Sequence, residues 1–425
     1  MQPSRSNPRP IDEPRSASVL RFSLAGLVVF SLALMAGTAF LTYELTSIDH
    51  RSQNITVTSD GKDKGVVVRS GPWGELLERN ILLQRPAEYL TDEVAHPPSE
   101  WWAFSGLAPA DARASLVQAG LGEAQATEVI ASGHVVADSG GTRLEPSAEF
   151  VLAIGAETRR RLYVALAGRH VNPYIDYPYI FPRDSLESVY TDARLNPEDI
   201  AMLKRLIYPN GGSEQLSDYQ LLLARIPTLD RRSAMASALS RQYAVLGRLY
   251  VKPDSDIDKI AAYWGHVPGV RFTDTRPLLE SLKQLPEGGS ISLLYFLPRF
   301  ARERLYTFPL PSRDGDPLMD CHWSTFNFSN EVTDDRFNDP QFVSRAIREN
   351  YYAIGSPTRF GDIVLLVDEA QHMKHSAVHV ADDVVFTKNG NNASQPWMLM
   401  HLPDLLATYP ATPPLRVVYL RDRSH

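Results

Sequence analysis

Gly361–Lys388 reads GDIVLLVDEAQHMKHSAVHVADDVVFTK. Its apolar and β-branched runs break around Asp368–Gln371 and again at Asp382-Asp383. That pattern predicts three strands, over Gly361–Asp368, His375–Val380 and Val384–Lys388. The short polar break predicts that the last two form a hairpin. Upstream, DCHWSTFNF (Asp320–Phe328) predicts a helix start, with Asp320 capping a first turn that contains Cys321. Ser290–Leu297 (SISLLYFL) and Leu415–Leu420 (LRVVYL) read as further strands. A helix followed by an antiparallel meander is an α+β pattern, expected here over residues 286–425.

Residues 101–285 read as a mainly helical region. Its clearest helix is LNPEDIAMLKRLIY, where Asn196 caps, Pro197 opens and two acids fill the first turn. Ser213–Arg225, Asp230–Tyr243, Ser255–Trp264 and Arg276–Leu285 read as helices, and Leu246–Lys252 as a strand. The polar, Pro-punctuated residues 44–100 read as a stalk or linker, with a short strand at Gly65–Arg69. Residues 19–43 read as a transmembrane anchor, since no charge interrupts Phe22–Tyr43 and about 20 apolar residues span a bilayer. Four arginines precede that run, and Glu44 and Asp49 follow it. The positive-inside bias then makes residues 1–18 a cytoplasmic tail and places the bulk of the chain in the periplasm, on a single-pass inner-membrane anchor. A cleaved signal peptide is the alternative.

Of 425 residues, 44% are hydrophobic and 22% charged, which suits a large globular core. A net charge of -7 gives no basic footprint for nucleic acid. The chain has one cysteine, so no intrachain disulfide or multi-cysteine zinc site can form. With no Gly-rich phosphate loop either, no cofactor is expected.

The chemistry-bearing residues gather in the C-terminal third. A thiol at a helix start is favoured as thiolate, and a thiolate nucleophile needs a base held by an orienting partner. His375 opens a strand downstream of Cys321, and Asn389 follows the strand that pairs with it. The order Cys321, His375, Asn389 therefore fits a nucleophile, base and orienter. His379 shares a strand face with His375, and His322 is a weaker base candidate. A competing reading is a metal site built from His372, His375 and His379, joined by Cys321 or His401.

These residues resemble the NlpC/P60 branch of the papain-like cysteine peptidases. Asp320-Cys321 matches the family's DC motif, GDIVLLVD its GDLV strand, and HSAVHV the strand that opens on the catalytic histidine. Tyr306 matches a tyrosine before the nucleophile, and VVFTKNG resembles the papain-like strand that delivers an asparagine. The resemblance implies a papain-like domain that cleaves an amide or peptide bond through an acyl-cysteine. Cys321 would be nucleophile, His375 base, Asn389 orienter, and Tyr306 would help the Cys321 amide hold the oxyanion. A peptide or peptidoglycan stem is the implied substrate. The chain departs from the pattern at His322-Trp323, where Ser or Gly usually follows DC, and at Leu310-Pro311. Thr387 or Lys388 could take the third position instead of Asn389. The alternative function is a non-catalytic envelope interaction protein with a degenerate domain.

Overall fold

In the computed structural model the described residues run from 66 to 424, apart from 168–172, 183–184, 212, 268–271, 311–318, 391–393 and 412. Two antiparallel sheets position the site. The first takes β1 (Val67–Gly71), β2 (Gly74–Leu83), β3 (Gln242–Val251) and β4 (Gly289–Ser292), in that spatial order. Gly74 opens β2 at φ 97°, a backbone conformation that a side chain would strain. Helix α1 (Ile257–Trp264) follows β3, capped by Asp256.

The second sheet takes β5 (Tyr351–Ile354), β6 (Ile363–Val367), β7 (Met373–Ala381), β8 (Val384–Lys388), β9 (Trp397–His401) and β10 (Arg416–Asp422). Their spatial order is β5-β10-β6-β7-β8-β9, with every neighbour antiparallel. Both faces are covered, so its strands are apolar on both sides rather than alternating. One face carries Ile363, Leu365, Val378, Val380, Phe386 and Trp397, in one core with Trp323 and Phe328. Trp323 belongs to helix α2 (Cys321–Phe326). The other face carries Val364, Leu366, Ala377, Val385 and Met398, packed with Leu405 of helix α3 (Leu402–Ala407). The period of two in a strand therefore decides which residues meet α2 and which meet α3.

The fold is α+β, and it corrects several expectations. No helix among the described residues is long and apolar enough to cross a membrane, against the predicted transmembrane anchor and inner-membrane localisation. The segment that prompted that expectation, 19–43, lies outside the described residues, and the placement is not carried forward. Residues 67–83, read as stalk, are a hairpin whose second strand pairs with β3 along its length. The middle region is not only helical. It holds two three-stranded sheets, Trp102–Ser105 with Gly141–Glu145 and His134–Asp138, and Tyr179–Pro182 with Ser213–Leu216 and Tyr208–Asn210. The last pair is a hairpin whose turn begins at Gly211, at a φ of 63°, and that turn overrides the helix expected from Ser213. The strand expected over Ser290–Leu297 stops at Ser292, whose Oγ caps a 3-10 turn over Leu293–Phe296.

β1 and β2 are tied to the second sheet by charge. Arg69 bonds Glu78 at 3.0 Å and Asp382 at 2.7 Å, while His401 holds Asp383 at 2.8 Å and lies 3.5 Å from Glu78. The bond to Asp383 raises the His401 pKa above its ordinary value, against the effect of burial. Its contribution is therefore complete below the unfolded imidazole value near 6.5 and is lost as pH rises through the higher folded value. His401→Gln should flatten the fall in melting temperature between about pH 6 and 8.5. An unchanged slope in a thermal scan would remove His401 as the cause.

Candidate functional site

Asp320 is extended and accepts the Trp323 N–H at 2.8 Å, so the predicted cap forms. The helix it starts has only six residues. A macrodipole this short gives less thiolate stabilisation than the sequence suggested. Side chains pin α2 instead. Trp397 Nε1 donates to Ser324 Oγ at 2.9 Å, Trp323 Nε1 donates to Asp335 at 3.0 Å, and Asn327 Nδ2 donates to the Trp323 carbonyl at 3.0 Å. Cys321 ends up 5% exposed against β7 and β8.

The strand residue that meets Cys321 is Ser376. Its hydroxyl donates to the Cys321 carbonyl at 3.3 Å and lies 2.9 Å from His322 Nδ1. His375, one residue earlier, points to the other face. Its Nε2 lies 2.8 Å from Thr387 Oγ1, and its ring lies on Tyr409 with centroids 4.5 Å apart. No hydrogen bond joins His375 to Cys321, and among the described residues its Nδ1 is buried without a partner. Thr387 Oγ1 also lies 3.3 Å from Asn389 Oδ1. Which of His375 and Thr387 donates in the bond between them follows from the imidazole tautomer. The residue bonded to the imidazole is thus Thr387, with Asn389 one step further out and its own amide donating to Met400 Sδ at 3.6 Å.

Tyr306 does not fit its expected role. Its hydroxyl donates to the Val245 carbonyl of β3 at 2.6 Å, and its amide donates to the Trp397 carbonyl at 2.7 Å. It staples the two sheets at a positive φ of 64° rather than holding an oxyanion. The histidines proposed as metal ligands are dispersed. His372 bonds Asp368 at 3.2 Å, and His379 lies 3.4 Å from the Tyr263 hydroxyl. Among the described residues no group of three or more His, Cys, Asp or Glu could hold a metal ion.

Burial governs the electrostatics. It pushes the Cys321 thiol up to about 12, assisted by Asp320 and opposed by the Ser376 amide, then Lys388 and the His322 amide. It also pulls His375 and His322 below the ordinary imidazole value. Lys388 is fully buried and is pulled down to about 7, with Cys321 and Asp320 acting the other way. Its Nζ donates to the Gly390 carbonyl at 2.8 Å. Past the end of β8 a cleft of about 640 Å³ opens, lined by Tyr163, Tyr177, Tyr208, Asn389, Gly390 and Tyr409 among others. Tyr409 therefore stands between this cleft and His375.

No family model, no curated protein and no solved structure matches this chain. Its chemistry is read from its own residues. Ser376 and Tyr409 escaped the sequence reading. The strict alternation in HSAVHV carried the first signal, because adjacent strand residues cannot both face the same helix. Nothing local marked Tyr409, which arrives from beyond α3.

Proposed function

We propose that the protein is a cysteine hydrolase acting on an amide or peptide bond through an acyl-cysteine at Cys321. The observation that carries this reading is the placement of the only cysteine. It sits on an Asp-capped helix start, against Ser376, with a buried lysine on the same sheet face and the imidazole of His375 on the neighbouring strand residue. Thiol attack on a carbonyl needs a proton acceptor, and His375 is a buried, neutral imidazole whose Nδ1 makes no hydrogen bond among the described residues. His375 faces Thr387 and Tyr409 rather than the thiol, so on this reading the start of β7 must shift, and not the side chain alone, before the imidazole takes the thiol proton. The likeness to NlpC/P60 peptidases in the DC, GD-strand and H-strand motifs supports a peptide or peptidoglycan stem as substrate, and the tyrosine-walled cleft is large enough for a short peptide.

A second reading has its own observation. A thiol 5% exposed and held protonated by burial suits a structural cysteine in a binding protein without catalysis. Hydrolysis of a panel of cell-wall stem peptides, followed by mass spectrometry, separates the two. On the hydrolase reading the wild type cleaves, Cys321→Ala falls by a factor of at least about 10³, and His375→Ala by at least about 10². Cleavage that survives Cys321→Ala would overturn the hydrolase reading.

A further inference from the structure

The sheet face that meets Cys321 also carries a cation. β7 and β8 pair Val378 with Phe386 and His379 with Val385. Continuing that register sets Ser376 opposite Lys388. Ser376 touches the Cys321 carbonyl, so Lys388 projects from the neighbouring strand toward the same helix start. Its ammonium lies 5.8 Å from the Trp397 ring, and Trp397 in turn bonds Ser324 of α2. Every part of this frame is buried.

We infer that Lys388 is the positioning residue that holds the Cys321 thiolate, supplying the positive charge that His375, on the opposite face, does not. This deepens the hydrolase reading by naming what ionises its nucleophile. The other charged and titratable groups around the thiol do not fill that role. Asp320 is an anion beside the thiol and raises it. His322, on α2, is kept neutral by burial. Arg304 lies over Phe300, with the Trp323 and Trp397 rings 5.5 and 5.9 Å away. Tyr409, from beyond α3, carries no positive charge, and burial pushes its hydroxyl up. The physical reason for pairing is symmetric. Burial opposes a lone thiolate and a lone ammonium alike, and each offsets part of the other's penalty. The pair titrates as one unit, so the thiol proton can pass to the Lys388 amine, which leaves a thiolate facing an ammonium.

Alkylation of the full-length protein by iodoacetamide tests this, because Cys321 is the chain's only thiol and no substrate is needed. The rate is followed from about pH 6 to 10 in wild type, Lys388→Met and His375→Gln, with folding of each checked by circular dichroism. The expected result is a midpoint displaced upward by about one pH unit or more in Lys388→Met, hence about tenfold slower labelling at fixed pH. His375→Gln should stay within about threefold of wild type. Lys388→Arg keeps the charge and should recover most of the rate, guarding against a packing effect in the methionine variant. An unchanged midpoint in Lys388→Met, the same displacement in His375→Gln, or no labelling of the native protein anywhere in the range would each overturn the assignment. Peptide hydrolysis is scored separately, so an inactive protein with a Lys388-dependent thiol would count against the hydrolase reading alone.

Discussion

Asp362→Ala should lower the unfolding free energy by about 2–3 kcal/mol, the cost of stranding buried donors and breaking an ion pair whose arginine is only partly buried. Asp362 is 3% exposed and opens β6. It receives Arg421 Nε at 2.8 Å and Nη2 at 2.7 Å, a two-pronged bond across β6 and β10. It also accepts the amides of Thr358 and Arg359 at 2.9 and 3.0 Å. Truncation leaves two amides without this acceptor and the partly buried Arg421 with only Thr358 Oγ1, at 2.7 Å. Burial alone would raise the carboxyl, but the Arg421 fork and the two amides outweigh it and hold the pKa below its ordinary value. The folded value is depressed, so the stabilisation is present above the unfolded carboxyl value near 4 and is lost as pH falls through the folded one. Urea denaturation at pH 7 measures the difference. A loss under about 1 kcal/mol would show that the pair is worth no more than a surface bridge.

Arg159→Met should cost about 3–5 kcal/mol in the middle region of the chain. Arg159 is 1% exposed and donates to the carbonyls of Arg205, Val151 and Ile154 at 2.9, 3.3 and 3.0 Å. Its Nε lies 3.4 Å from Asp218, which also receives the Tyr163 hydroxyl. Burial pushes the Asp218 and Glu100 carboxyls up, and Arg159 is the cation that opposes this. Methionine fills the volume but strands three carbonyls and a carboxylate. Adding Asp218→Asn to Arg159→Met removes that charge and should recover part of the loss in a double-mutant cycle. Strict additivity of the two substitutions would mean that they do not interact.

The reach of the sequence reading follows the range of each signal. The Asp320 cap, the Asn196 cap and the strands of β6, β7 and β8 are local patterns, and they formed where caps and apolar runs placed them. β9 was missed because QPWMLM is short and lies beside a Pro, and its partner Val384–Lys388 was already assigned to β7. β2 was missed because its pairing partner lies far along the chain. At the site, residue type and order drew attention to Cys321, His375, Thr387 and Lys388. Order alone did not set which face each would occupy. His375 and Ser376 are neighbours in sequence, yet one lies on Tyr409 and the other on Cys321. Tyr306 was selected by its distance from the nucleophile, and its hydroxyl is committed to β3.

The clasp between Arg69 and Asp382 joins residues 313 positions apart. β2 can pair with β3 once residue 251 is made, but a ribosome must release the chain past Asp382 before the clasp can close. Until then the Glu78 carboxylate has neither His401 nor the turn at Asp382-Asp383 nearby, and the hairpin waits with one edge of its charge network open. Closure of the amino-terminal hairpin is thus a late event in biogenesis. A nascent chain stopped before Asp382 should present that hairpin to a protease, and the completed chain should shield it.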